Sequence, residues 1–263
     1  MTPPQAFSLD DASYGGVGTV PQPQTASVFV KRLRALYPLS AEELTVAHQL
    51  VGSHQSLAGH VDIVRSGEPL TAATVLVRGL ACRYRVTETA RRQMTGFVVP
   101  GDICDLGFLS SRAATQGLLA LGPVVVGSID LAQLSAASEK HPNLMIAMMR
   151  AAALEQASAQ ELVVSLGVRD AVGRLAHLLC EMHYRLNVVG LVRPGNQFDL
   201  AMTQGEIGEA LGLSTVHVNR TVQTLRRQNL IAMWQGVISI PDVERLAAVA
   251  DFNAQYLAGG PKA

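Results

Sequence analysis

A chain of 263 residues, 48% hydrophobic and 16% charged, is long enough for two ordinary domains with real cores and too apolar to stay unfolded. Lysine plus arginine (21) balances aspartate plus glutamate (21), which excludes a global basic field and leaves any nucleic-acid contact to local charge. No apolar run reaches the roughly 18 residues of a membrane span, and the start, MTPPQAFSLDD, lacks a signal-peptide pattern, so a cytoplasmic location is expected.

Residues 1–27, rich in Pro, Gly, Ser, Thr and Gln, read as a disordered tail. Residues 28–140 read as a β-rich sensor domain. Within it Leu80, Cys82, Tyr84 and Val86 alternate with Ala81, Arg83 and Arg85, the period of a strand buried on one face. The apolar runs Thr74–Val77, Gln93–Val99 and Leu118–Ile129 supply further strands, broken at Gly79, Pro100-Gly101-Asp102 and Gly122-Pro123. Short strands with turn signals between them predict a small barrel or jelly roll. The loop after Pro100 holds Gly101, Asp102 and Arg112. A glycine admits a phosphate to backbone amides, an acid can bind a ribose hydroxyl, and an arginine can pair with the phosphate. A surface loop with solvated charges accounts for the same residues.

Residues 141–167 read as a long helix and hinge. Met145, Met148, Ala152, Ala159, Leu162 and Leu166 fall on heptad positions interrupted only by Glu155, which predicts a dimer seam. Burial against the chain's own barrel is the competing reading. Ser165-Leu166-Gly167 is expected to interrupt the helix, and Asp170 to cap the next one. There Val172, Leu175, Leu179, Met182 and Leu186 form the buried stripe. His177, Cys180, Glu181 and His183 read as a solvated face of that helix rather than a metal site. Cys82, Cys104 and Cys180 show no CxxC spacing, which argues against a disulfide framework or zinc ribbon. No nucleophile triad, metal–carboxylate set or P-loop appears, so no enzyme is expected.

Residues 168–245 contain the most specific pattern, MTQGEIGEALGLSTVHVNRTVQTLRRQNLI from Met202 to Ile231. Thr203 and Glu206 make a capping box, Gly212 a left-handed helix stop and Ser214 a second cap. Val218, Val222 and Leu225 turn inward, leaving Thr215, Val216, His217, Asn219, Arg220 and Gln223 outward for base edges. Gln235-Gly236 between two apolar runs predicts a hairpin wing. Together these predict a winged helix-turn-helix that binds double-stranded DNA, with residues 246–263 as a C-terminal extension. A ligand-binding regulatory module that docks to a protein partner is the alternative.

The order barrel, long helix, hinge and winged helix-turn-helix resembles the Crp/Fnr family of bacterial transcription regulators over Leu39 to Ile240. The likeness is strongest at Gly173-Arg174-Leu175-Ala176-His177-Leu178-Leu179 and at Met202–Ile231. It implies an α+β fold with an N-terminal cyclic-nucleotide-binding-like jelly roll, a long dimerisation helix and a C-terminal winged helix-turn-helix. It also implies a homodimer on a palindromic promoter site, with RNA polymerase as a further partner. DNA contacts are carried over to Ser214, Thr215, Val216, His217, Asn219 and Arg220, joined by Thr203 and Gln204 at the start of the first helix. Thr215 and Val216 stand where relatives reading G·C-rich half-sites place glutamate or arginine. Gly101 and Arg112 match the spacing of the family's phosphate-binding cassette, but Asp102 replaces a glutamate, Ala113 a small hydroxyl residue, and Cys104-Asp105 departs from its pattern. The expectation is therefore no cyclic nucleotide and an effector that is unknown or absent.

Overall fold

The structure, a computed structural model, describes residues 22–105 and 113–258, with side chains from residue 28 onward. Residues 1–21 and Arg112, which belong to the expected tail and ligand loop, lie outside the described residues. The expected tail is too long, because helix α1 (Gln22–Leu36) already begins within it. α2 (Ala41–Leu50) follows behind a Ser40/Glu43 capping box. Neither helix is among the elements expected from the sequence.

Among the described residues seven strands build the sensor: β1 (His54–Leu57), β2 (Asp62–Val64), β3 (Ala72–Arg78), β4 (Ala81–Val86), β5 (Arg92–Val98), β6 (Gly117–Ala120) and β7 (Val124–Asp130). They form two antiparallel sheets, ordered β1-β7-β3 and β2-β6-β4-β5. Leu76, Val124 and Val126 of the first sheet pack with Ala81, Val98, Leu118 and Ala120 of the second, so the core lies between them, as in a jelly roll. The expected one-sided burial of β4 holds only in part. Ala81, Cys82 and Arg83 are all buried, because both faces are covered there.

Helix α3 (Leu131–Lys140) leads into α4 (Pro142–Val168). Gly167 does not break α4. The joint falls at Arg169, after which Asp170 caps α5 (Ala171–Val188) by accepting the Gly173 amide at 2.7 Å. Arg169 stitches this joint, donating to Ser165 Oγ at 3.0 Å and Glu161 Oε2 at 3.1 Å. Arg174 then reaches from α5 to the carbonyls of Arg169 and Leu211, both at 2.9 Å.

The stripe expected on α4 as a dimer seam faces the chain's own interior at Met148, Glu155 and Leu162, which is the competing reading. Met148 is 1% exposed and packs with Phe29, Leu144 and Ala147 in the sensor's own core. Glu155 points inward to Arg83 at 2.8 Å, and Leu162 packs on a core shared by the sensor strands and the C-terminal helix-turn-helix region, the reader. On α5, Leu175, Leu179, Met182 and Leu186 are buried as expected. The face expected to be solvated is not. His177, Cys180 and Glu181 are buried, and His177 packs between Phe252 and Tyr256.

The rest comprises β8 (Gln197–Asp199), α6 (Gln204–Leu211), α7 (Thr215–Arg227), β9 (Ala232–Trp234), β10 (Val237–Ser239) and α8 (Val243–Ala250), closed by a short 3-10 helix, Ala254–Leu257. The boundary expected at residue 245 falls inside α8, whose Leu246 and Ala250 belong to the same core as α5, α6 and α7. Among the described residues no helix is long and apolar enough to cross a membrane.

Candidate nucleic-acid interface

The reading unit is assembled from local signals. Thr203 Oγ accepts the Glu206 amide at 3.2 Å while Glu206 Oε2 accepts the Thr203 amide at 2.7 Å, closing the capping box of α6. Gly212 ends α6 in the left-handed region, φ 65°, where a side chain would clash with its own backbone. Ser214 then caps α7 by accepting the His217 amide at 3.3 Å. Gly208 sits where the two helices meet. A Cβ there would lie 2.4 Å from the Leu213 carbonyl oxygen, so only glycine admits this turn unchanged.

Val218, Val222 and Leu225 bury one side of α7 against the core. Thr215, Val216, His217, Asn219, Arg220 and Gln223 are exposed on the others. α7 carries no acidic residue and bears Arg220, Arg226 and Arg227, so a chain of zero net charge still offers local cations to phosphates. The candidate contacts Thr215, Val216, His217, Asn219 and Arg220 thus share one surface. Gln204 joins it, its Oε1 accepting from Asn219 Nδ2 at 3.5 Å. The hydroxyls of Thr203 and Ser214 are engaged as caps. Arg227, which sequence reading leaves out, continues the exposed surface three turns beyond Val216.

Behind α7 the wing forms as expected. β9 and β10 pair Val237 with Trp234 through Gln235 and Gly236, both at positive φ (47° and 76°), the geometry of a tight hairpin turn. β8, not foreseen, adds a third strand on the other side of β10.

Of the expected ligand-loop residues, Gly101 and Asp102 are described. The Gly101 amide donates to the Leu76 carbonyl at 2.8 Å, and a Cβ at Gly101 would stand 2.7 Å from the Val28 carbonyl oxygen of α1. This glycine serves the close approach of a helix. Asp102 is buried, pairs with Arg32 at 2.9 Å and with Arg185, and accepts the Val99 amide at 2.9 Å. Burial alone would raise its carboxyl, but the Arg185 and Arg32 guanidiniums and the Val99 amide together hold it below the usual carboxylate range. Both groups are spent within the protein.

Comparison with known proteins gives these features a family. A model of the Crp-like helix-turn-helix domain matches residues 173–249. The "Fumarate and nitrate reduction regulatory protein" of Yersinia pestis is 26% identical over 233 residues, covering 89% of each chain. The "Transcriptional activator protein anr" of Pseudomonas aeruginosa is 26% identical over 212 residues, 81% of this chain and 86% of that one. Among solved structures, FixK2 from Bradyrhizobium japonicum superposes with a TM-score of 0.67 at 25% identity, covering 76% of this chain and 98% of its own. The likeness runs through sensor, long helix and reader alike, and the chain belongs to the Crp/Fnr family of DNA-binding transcriptional regulators.

Proposed function

We propose that the chain acts as a homodimer that binds an inverted-repeat promoter site through two copies of α7. One observation carries this reading. Met149, Ala153, Gln156, Gln160, Val163 and Gly167 recur along α4 at alternating four- and three-residue intervals, and every one is exposed. Such a stripe has the period of a helix pair winding together. Met149 and Val163 give it apolar area, and Ala153 and Gly167 allow close approach. Gln156 and Gln160 are uncharged and can hydrogen-bond across the seam, where a polar residue fixes the register of the pair. Two-fold pairing of α4 sets the two α7 helices about an axis, the symmetry that a palindromic site mirrors.

In this reading Thr215, Val216, His217, Asn219 and Arg220 face base edges, while Thr203, Gln204 and Ser214 hold the helix starts against phosphates. The protein works in the cytoplasm by binding rather than catalysis, and meets RNA polymerase at the promoter. Binding needs no cyclic nucleotide, a view supported by the internal engagement of Gly101 and Asp102.

The test is selection of bound duplexes by the full chain, followed by titration. An inverted repeat is expected, with equal affinity with and without cyclic AMP. Arg220→Ala is expected to cost about 1–3 kcal/mol on the selected site and much less on scrambled duplex. A marked gain in affinity on adding cyclic AMP would overturn the ligand reading, and selection of a single unrepeated element the dimeric one.

A further inference from the structure

Val216, Arg220, Gln223 and Arg227 follow one another at i, i+4, i+7 and i+11, forming the outermost ridge of α7, opposite the buried Val218, Val222 and Leu225. Three of the four are polar or cationic. Val216, at the leading end, is 63% exposed and is the one apolar residue of the ridge. A valine can neither donate nor accept a hydrogen bond, so it cannot read the polar code of a base edge. The major groove displays one apolar group, the 5-methyl of thymine.

We infer that Val216 is a specificity-determining residue that packs on a thymine 5-methyl group in each half-site. The inference rests on the proposed operator reading and deepens it. A β-branched side chain in a helix is held largely in one rotamer, so the contact surface is set before binding. Val216 and Arg220 are four residues apart, about 6 Å along the helix, and stacked bases rise about 3.4 Å. Arginine pairs bidentately with guanine, so the thymine is expected within about two base steps of a guanine read by Arg220.

The experiment changes the DNA before the protein. On the half-site selected by the full chain, the guanine sensed by Arg220 is located as the position whose substitution no longer matters to Arg220→Ala. Each thymine within two steps of it is then replaced singly by deoxyuridine, which removes the methyl and keeps every hydrogen-bonding group. One replacement is expected to weaken binding about fourfold, the size of one buried methyl. Val216→Ala is expected to bind thymine and uracil duplexes equally at that position, with unchanged circular dichroism. If no replacement weakens binding, or if the preference for thymine survives in Val216→Ala, the assignment fails while the operator reading stands. If the parent chain selects no duplex at all, the operator reading fails, and the thymine contact with it.

Discussion

Gly208 sets how closely the two helices of the reading unit can meet. Alanine would favour the helix by about 1 kcal/mol, yet its methyl would stand 2.4 Å from the Leu213 carbonyl oxygen, a backbone atom that cannot swing aside. The turn must open, and overpacking of this kind costs about 1–3 kcal/mol. Gly208→Ala is therefore expected to lower the urea midpoint and also to weaken DNA binding, because the tilt of α7 depends on that turn. Unchanged values of both would mean that the turn yields freely. The caps around it are legible in the sequence: Thr203, Glu206, Gly212 and Ser214 act on amides and carbonyls within a few residues of themselves. Gly208 is not, since its constraint comes from backbone across the turn. Asp102 misleads for a similar reason. Residue type permits a ribose contact, but Arg32 and Arg185, distant in sequence, claim the carboxylate.

At the scale of the element, α4 holds two stripes of heptad period that differ by one residue. Alanine, methionine, leucine and valine occur almost all round it, so spacing alone cannot tell which stripe faces its own protomer. The outer stripe is also the harder one to see, because Gln156 and Gln160 interrupt its apolar run. Packing decides: the sensor core takes Met148, Arg83 takes Glu155, and the neighbouring Met149–Gly167 stripe is left outside. Ala153→Glu and Val163→Glu are expected to give folded monomers, because like charges would meet across the seam and neither side chain supports the protomer. Met148→Glu would bury a carboxylate in the sensor core, and is expected to lower thermal stability whatever the oligomeric state. Sedimentation and thermal melts separate the two classes. Dimers from both Ala153→Glu and Val163→Glu at low micromolar concentration would move the seam off this stripe. The helices α1 and α2 are hidden for another reason. α1 starts within a Pro- and Gln-rich stretch, and α2 spans only 10 residues.

Across the whole molecule, sensor and reader are joined by a buried chain of charges. Arg32 of α1 and Arg185 of α5 both hold Asp102 of the sensor loop. Arg185 also donates to Glu181 at 2.9 Å, and Tyr256, near the C-terminus, donates to the other Glu181 oxygen at 2.9 Å. At the surface Arg92 of β5 donates to Glu209 of α6 at 2.8 Å, an exposed pair of small consequence beside the buried one. Removing the shared carboxylate leaves the buried Arg32 guanidinium without its acidic partner and Arg185 with Glu181 alone, so Asp102→Ala is expected to cost about 3–5 kcal/mol. The pH dependence has a definite sign. Asp102 is held below the ordinary carboxylate value of 3.8, so the folded state binds its proton later than the unfolded chain does. The stabilisation is complete above that value and is lost as pH falls through the lower, folded one. Asp102→Ala should accordingly narrow its deficit against the parent in strong acid and show it in full at neutral pH. The carboxylate links both halves beside the apolar core they share, so the variant is expected to loosen the reader from the sensor, with two urea transitions where one is expected of the parent. Arg185→Ala gives the second arm. It removes the link to α5 while Arg32 still pairs with Asp102, so it should separate the transitions with a smaller loss from the sensor itself. Parent-like single transitions in both variants, at both pH values, would show that the two halves are held together elsewhere.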